Sequence, residues 1–408
     1  MKKYLFILFC MPALLYAQEW NYTFGENTIN EKSPRLEYSE IDNTYTIAYF
    51  HKTSEIFTTH ILKMNDYGEI LWHKTFEVEN TYEESENFEI TDIDLKNTND
   101  GGCIIASHNI YKLDKAGNLE WTKEEHGRII IQKEDSSYIY KSNTPYSNSI
   151  ESSFIHLDYF GNAISTYYNQ YYPEMRITNN ITPIANNGYA HTTTFCVYIM
   201  IDFGPDEILC GNYFGTVNTY GNSKVSTTTS GESFGNFNHV LQTKNKEFIS
   251  CGSYESAPFI YRLDTNNILW KKVYRYSSNF QTLNHIEETH DGGFIAIGSY
   301  VIRTDENGDT IWTTDISGNE IHQTKDSSFV LIRTITDSIS GDENINIIKL
   351  DSNGKIMSAS IKPPEPPNPN GKLINIIDFT GKKTKAKANI PLIYIYENGT
   401  AEKKMIIE

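Results

Sequence analysis

The sequence runs to 408 residues, with 35 Lys and Arg against 52 Asp and Glu and a formal net charge of −17. Binding to nucleic acid rests on neutralising phosphates with basic side chains, and an acidic surface also repels anionic lipid head groups, so both partners are disfavoured. With 28 Tyr and 20 Phe, many Thr and Ile, and few apolar residues at helical spacing, the composition favours strands.

The chain opens on MKKYLFILFCMPALLYA (1–17), with Lys2 and Lys3, a short apolar run, and Ala17 before Gln18. That order is a secretory signal peptide, and the run is too short to span a bilayer. Cleavage after Ala17 leaves 33 basic against 52 acidic residues, or −19. No later stretch is apolar for long enough to cross a membrane, so a secreted or surface-attached protein is expected. Of the four cysteines beyond the leader, no two form a CxxC pair, so a zinc site is not expected. Cys103 and Cys251 read as buried thiols. Cys196 and Cys210 flank a turn at DFGPD, and stand either as a cross-hairpin disulfide or as two separate thiols.

Residues 18–361 are repetitive. One motif recurs as KMNDYGEILW (63–72), KLDKAGNLEW (112–121), HLDYFGNAIS (156–165), MIDFGPDEIL (200–209), RLDTNNILW (262–270), RTDENGDTIW (303–312) and KLDSNGKIMS (349–358). A second motif, DGG or a variant before a large residue, interleaves with it and places Tyr45, Cys103, Tyr138, Tyr189, Phe248, Phe294 and Phe329 at the heads of strands. In LDxxGxxxW the Asp suits the first position of a type I turn, and the Gly takes the left-handed position that closes a short hairpin. This assigns turns to Asp114–Gly117, Asp305–Gly308 and Asp351–Gly354, and sets Trp72, Trp121, Trp270 and Trp312 on the returning strands, where each can pack between sheets.

Each repeat therefore encodes a four-stranded antiparallel sheet that cannot bury both faces alone. Repeats of this length close radially, so the expected fold is all-β: a seven-bladed β-propeller, plus a small C-terminal β domain. EWNYTF (19–24) resembles LWHKTF (71–76) and precedes any complete repeat. It is expected to complete the last blade, leaving KIMSASI displaced or marginal. A solenoid or open sheet leaves that strand without a role.

The pattern DGGF…KLDxxGxxxW resembles that of exported propeller proteins common in Bacteroidota, and more loosely that of quinoprotein-type propeller repeats. No adjacent-cysteine motif accompanies it, so the resemblance implies a fold and no quinone chemistry; no cofactor is expected. After KPPEPPNPNG (362–371), a stiff Pro-rich linker, residues 372–408 turn basic and read as short strands. This tail resembles the C-terminal sorting domain of the type IX secretion system at Asp378, Gly381, Lys382, Tyr396, Gly399, Thr400, Glu402, Lys403 and Lys404. The resemblance implies passage across the outer membrane of a Gram-negative bacterium by that machinery, with release or attachment at the cell surface.

Candidate chemistry is sparse. GESFG (231–235) fits a nucleophile elbow, but that motif needs a strand-to-helix turn, so a Ser/Thr/Gly-rich insertion is expected instead. DENGD (305–309) offers Asp305, Asn307 and Asp309 as calcium ligands, yet the sister repeats keep the turn and lose the ligands. HIEETH (285–290) puts His285 and Glu287 on one face of a strand, and Glu288 and His290 on the other. The acidic run at 77–89 reads as a solvated connection. Tyr167, Tyr168, Tyr171 and Tyr172 offer flat rings beside amides, suited to a sugar or a protein surface. The expected function is non-catalytic binding of a glycan or protein at the cell surface. The alternative is a glycan hydrolase or lyase that uses carboxylates such as Glu287 at a channel mouth.

Overall fold

The computed structural model describes residues 20–25, 29–53, 55–79, 93–146, 149–168, 174–184, 188–199, 207–217, 223–229, 235–254, 256–264, 268–275, 281–357, 373–377, 382–385, 392–396 and 401–404. Every named element among them is a strand. Seven antiparallel sheets have four strands each, running in chain order from an inner to an outer strand. Blade 1 holds Lys32–Ser39, Thr44–Lys52, Ile56–Asn65 and Ile70–Glu79. Blade 2 holds Asp94–Asn97, Cys103–Ala106, Ile110–Leu113 and Leu119–Lys123. Blade 3 holds Ile129–Gln132, Tyr138–Tyr146, Ser149–Leu157 and Ala163–Tyr168. Blade 4 holds Glu174–Ile184, Gly188–Ile199, Glu207–Val217 and Ser223–Thr229. Blade 5 holds Gly235–Gln242, Phe248–Tyr254, Ala257–Leu263 and Ile268–Val273. Blade 6 holds Leu283–Glu288, Phe294–Gly298, Val301–Thr304 and Thr310–Thr314. Blade 7 takes Glu320–Gln323, Phe329–Thr336 and Glu343–Leu350 from late in the chain, and its outer strand, Asn21–Phe24, from the beginning.

The inner strands meet in a cycle. Each touches the inner strand of the next blade, and Glu320–Gln323 of blade 7 touches Lys32–Ser39 of blade 1. The chain is an all-β propeller. Its cores lie between blades: Leu36, Tyr45, Ile47 and Leu62 of blade 1 pack with Trp20, Val330, Ile332, Ile345 and Ile347 of blade 7, and similar clusters fill the other seams. Sandwiched on both faces, middle strands such as Cys103–Ala106 and Val301–Thr304 are buried at every position, whereas the outer strands Leu119–Lys123 and Thr310–Thr314 alternate. Each fully buried Leu, Ile or Phe contributes about 1.5–3 kcal/mol, and a lone sheet could bury only one of its two faces.

The repeat motif ties one blade to the next. Trp72, Trp121 and Trp312 donate from their indole nitrogens to the carbonyl oxygens of Lys115, Tyr159 and Ser352, each just past the turn-opening Asp of the following blade. The indoles lie so close to Gly117, Gly161 and Gly354 that a Cβ there would sit within 3 Å of the ring. Trp270 lies against Gly308 in the same way, but Arg262 takes the corresponding carbonyl, that of Glu306. Trp20 completes the series, donating to Asp66 O at 2.8 Å. Of KIMSASI, the described residues 355–357 make a single bridge, Leu350 with Ile356, while Trp20 N–H donates to Met357 O and Trp20 O accepts from Lys349 N–H.

The basic residue that opens the motif has a partner in the other motif. Lys63 pairs with Asp42, Lys112 with Asp100 (2.8 Å), Arg303 with Asp291 and Lys349 with Asp326. A Thr two residues before the acid steadies three of these carboxylates: Thr98, Thr289 and Thr324 donate to Asp100, Asp291 and Asp326. The two motifs are thus one ion pair written in two places, a buried base held by a carboxylate that stays in reach of solvent.

Two readings change. The described parts of the expected insertion, Glu207–Val217, Ser223–Thr229 and Gly235–Gln242, are strands, because β-branched runs such as SKVSTTT suit a pleated sheet. MIDFGPDEIL falls between the second and third strands of blade 4 rather than between the third and the outer strand; residues 218–222 lie outside the described residues. In blade 1 Asn65 stands where most repeats have Asp, accepting from Tyr67 N–H and Glu69 N–H.

Residues Ser360–Glu408 form a second compact unit. Within it, Leu373–Ile377, Leu392–Tyr396 and Ala401–Lys404 make a three-stranded antiparallel sheet over buried Leu392 and Tyr394.

Candidate functional site

Strands alternate in direction, so the DGG and DxxG turns of all blades lie at one end of the propeller. The second-to-third connections and the links between blades lie at the other. The turn end is taken up by backbone chemistry. Asp114, Asp305 and Asp351 each accept two backbone N–H bonds from their own turns, and Asp309 pairs with Lys272 at 2.8 Å. DENGD therefore spends its oxygens on N–H groups and an ammonium.

The loop end opens on the axis. Inner strands run from it toward the turn end, and one position on them repeats around the ring: Arg35, Asp94, Ile129, Asn180, His239, His285 and Glu320. Five of these side chains accept from the backbone of the next blade. Glu320 Oε2 accepts Leu36 N–H (2.6 Å), Asp94 Oδ2 accepts Ile130 N–H (2.9 Å), and Asn180 Oδ1 accepts Val240 N–H (3.2 Å). Longer bonds run from Ile286 N–H to His239 Nδ1 (3.4 Å) and from Ile321 N–H to His285 Nδ1 (3.5 Å). Arg35 inverts the polarity, donating to Ile93 O at 2.7 Å. These groups latch the ring from within and line a cavity of about 300 Å³, with Asn238, Asn284, Asn319, Lys96 and Arg128 among its other walls.

Charge around the axis is paired. Arg35 faces Glu320 (3.5 Å), and Lys96 meets Glu37 (2.9 Å) and Asp94 (3.6 Å). Burial pushes Glu320 up, against the pull of Arg35, Lys96 and His322. The rings of His239, His285 and His322 follow one another at centroid distances of 4.3 and 5.1 Å. Burial drives His239 down to about 3, helped by Lys96, His322 and Arg35, and drives His285 well below the usual imidazole range. Burial also opposes charge on His322, but Glu287 outweighs it and lifts the ring to about 9. His322 Nδ1 lies 3.4 Å from Glu287, and its Nε2 donates to Leu36 O at 2.7 Å.

HIEETH divides its faces between neighbours. His285 and Glu287 accept from Ile321 N–H and Gln323 N–H of blade 7, and Glu288 accepts from Lys244 N–H of blade 5. His290 lies 3.2 Å from Glu40. Tyr167 and Tyr168 end the outer strand of blade 3, while Tyr171 and Tyr172 lie outside the described residues. Ser233 of GESFG also lies outside, and the next described element is a strand, Gly235–Gln242. In the tail, Tyr396 ends one strand, Glu402, Lys403 and Lys404 lie in another, and Lys382 is exposed; Asp378, Gly381, Gly399 and Thr400 lie outside. The signal peptide, the Pro-rich linker and most of the acidic run fall outside as well. The axial Asn residues escaped the sequence reading, although FNHVLQT, LNHIEET and GNEIHQT carry them in register.

No protein-family profile matches the chain, and no curated protein matches it by sequence. Among solved structures it is similar to BamB from Moraxella catarrhalis (10% identity, 78% of this chain and 84% of that one, TM-score 0.41). It is also similar to the polysaccharide lyase Uly1 (8%, 84% and 94%, TM-score 0.45) and to an acylaminoacyl peptidase from Pyrococcus horikoshii (10%, 90% and 57%, TM-score 0.46). The propeller assignment rests on the strand pairing and the cyclic contacts given above.

Proposed function

We propose that this is an exported, non-catalytic propeller that binds a glycan or protein partner at the surface of a Gram-negative bacterium, with its loop end and axial mouth as the binding face. One observation carries the reading: the axial carboxylates are already engaged. Glu320, Asp94 and Glu287 each accept a backbone N–H from the neighbouring blade, and Glu320, Asp94, Glu37 and Glu287 each face a cationic side chain. A glycosidase needs one carboxyl to protonate the leaving group and a second to attack or to activate water. Acids held this way serve as latches. The leader and the tail's likeness to sorting domains support export through the type IX machinery.

Glycan-array and pull-down experiments on residues 18–361 test the binding reading, and silence in both rejects it. Secretion of a chain lacking residues 372–408 rejects the sorting role. The second reading, a glycan hydrolase or lyase, is supported by the Glu287–His322 pair, which joins a carboxylate to a charged imidazole. It requires turnover of a polysaccharide that Glu287→Gln abolishes.

A further inference from the structure

We infer that one seat on the outer edge of blade 7, the place opposite Lys349, selects an indole and so decides which of the chain's two ends completes the ring. The N-terminal strand holds that seat against the seventh repeat's own outer segment.

Both ends address the same place. In four blades the residue that opens the repeat motif faces the motif's Trp: Lys63 with Trp72, Lys112 with Trp121, Arg262 with Trp270 and Arg303 with Trp312. One step nearer the turn, Met64, Leu113, Leu263 and Thr304 face the residue two before that Trp. Blade 7 starts in the same register, because Leu350 bridges to Ile356. Its own chain would therefore bring Ser358, which lies outside the described residues, opposite Lys349. Trp20 stands there instead: Asn21 pairs with Ile348, and Trp20 O accepts from Lys349 N–H at 3.0 Å. The two ends meet at this changeover, where Trp20 N–H donates to Met357 O at 2.7 Å and Met357 N–H to Lys349 O at 2.8 Å. An edge offers a single row of backbone groups, so from Lys349 onward the two segments exclude each other.

The seat fits an indole and not a serine. Asp66 O takes the Trp20 N–H at 2.8 Å, as Lys115, Tyr159 and Ser352 take those of Trp72, Trp121 and Trp312. The Trp20 ring is buried edge-on against Tyr22 and Tyr45. A serine would leave that volume empty and withdraw the donor from Asp66. Three of the seven motif copies lack the Trp, and only for the seventh does another part of the chain supply one in register. Contacts beyond the seat add to the preference. Tyr22 donates to Tyr67 O, and the buried Asn346 amide donates to Asn21 Oδ1, Tyr22 O and Thr23 Oγ1.

Exchanging the two residues in the full chain tests this, read by melting temperature and by the rate at which chymotrypsin cuts after Tyr22 or Phe24. Trp20→Ser should lower the melt and speed that cleavage at least about tenfold, since cleavage follows the open population. Adding Ser358→Trp should restore at least about half of the lost melting temperature, because the indole regains its carbonyl and its packing, while the N-terminal strand stays cleavable. Ser358→Leu in the same background should restore less, having no N–H for Asp66. Ser358→Trp alone sets two indoles against one seat, and should speed cleavage of the N-terminal strand at least about threefold. This single variant keeps the test open if Trp20→Ser does not fold. No recovery with Ser358→Trp, recovery equalled by Ser358→Leu, or an unchanged cleavage rate in the single variant overturns the inference.

Discussion

The indole N–H of Trp20 donates to the carbonyl oxygen of Asp66 at 2.8 Å, bonding the outer strand of blade 7 to blade 1 across the seam where the ring closes. The same residue is 1% exposed and packs edge-on against Tyr22 and Tyr45. Burying a Trp this way makes its removal costly, about 3–5 kcal/mol for Trp→Ala. Trp20→Ala should lower the melting temperature by roughly 2–4 °C for each of those kcal/mol, and deletion of residues 18–25 should lower it further. Circular dichroism melts read both. An unchanged melt in the deletion would mean the ring closes without this strand.

Glycines at two turns separate backbone strain from packing. Gly117 and Gly292 have φ of +80° and +84°, so an alanine at either pays the left-handed penalty, about 1–2 kcal/mol. At Gly117 the new methyl would also lie 2.7 Å from the Trp72 ring, whereas at Gly292 nothing lies within 4 Å. Gly117→Ala should therefore be the more destabilising, by about 1–3 kcal/mol of overpacking in urea unfolding. Equal losses would show that the indole does not clamp the turn.

How much of this was legible depends on whether a residue's role is local. Asp–Gly turns and Phe294-type strand heads follow from neighbours in sequence, so the blades could be read from the two motifs. Blade 4 departs from the pattern because DFGPD has the motif's letters but falls between the second and third strands, a different place in the sheet. The ion pair between Lys112 and Asp100 was written in every clear repeat, but it links strands across a hairpin. It becomes visible only when the motifs are aligned on each other. The axial latches were least legible: Asn180, His239, His285 and Glu320 differ in type and share only the ability to accept a hydrogen bond.

Lys112 tests the ion pair directly. Its side chain is fully buried and its Nζ lies 2.8 Å from both Asp100 and Glu120. Burial raises the Asp100 carboxyl, but hydrogen bonds from Lys112, Thr98 and Gly102 outweigh that and bring it to about 2. Lys112→Met should cost about 1–3 kcal/mol, because it leaves two half-exposed carboxylates, Asp100 and Glu120, without their cation. Adding Asp100→Asn should recover part of the loss. A double variant no better than the single one in urea unfolding would show that the two residues are not coupled.

Cys196 and Cys210 are Cα partners in an unbroken register between the second and third strands of blade 4. Directly opposed residues of antiparallel strands have Cα atoms about 4.5–5.5 Å apart, within the Cα span of a disulfide. Cys103 and Cys251 are buried, and burial pushes the Cys103 thiol up to about 12. Differential alkylation of chain exported to an oxidising compartment should find Cys196 and Cys210 linked and the other two reduced. Uniform labelling of all four after unfolding would show that the pair stays open.

The axial histidines set opposite limbs of the stability profile. His239 and His285 have folded values far below 6.5, so their contribution is complete above pH 6.5 and is lost as the pH falls below it. Protonation also removes the Nδ1 lone pair that each offers to the next blade. His322 is raised to about 9 by Glu287, so its contribution is complete below 6.5 and is lost as the pH rises through 9. Asn180 shows that an amide oxygen can occupy the latch position and accept the same backbone N–H. His285→Asn should therefore keep the latch and flatten the acid limb between about pH 6.5 and 4.5, above the range where carboxylates titrate. His322→Gln should flatten the alkaline limb and leave the acid one in place. Melting temperatures across pH 4.5 to 9.5 read both slopes, and parallel profiles for wild type and His285→Asn would remove the imidazole latch from the account.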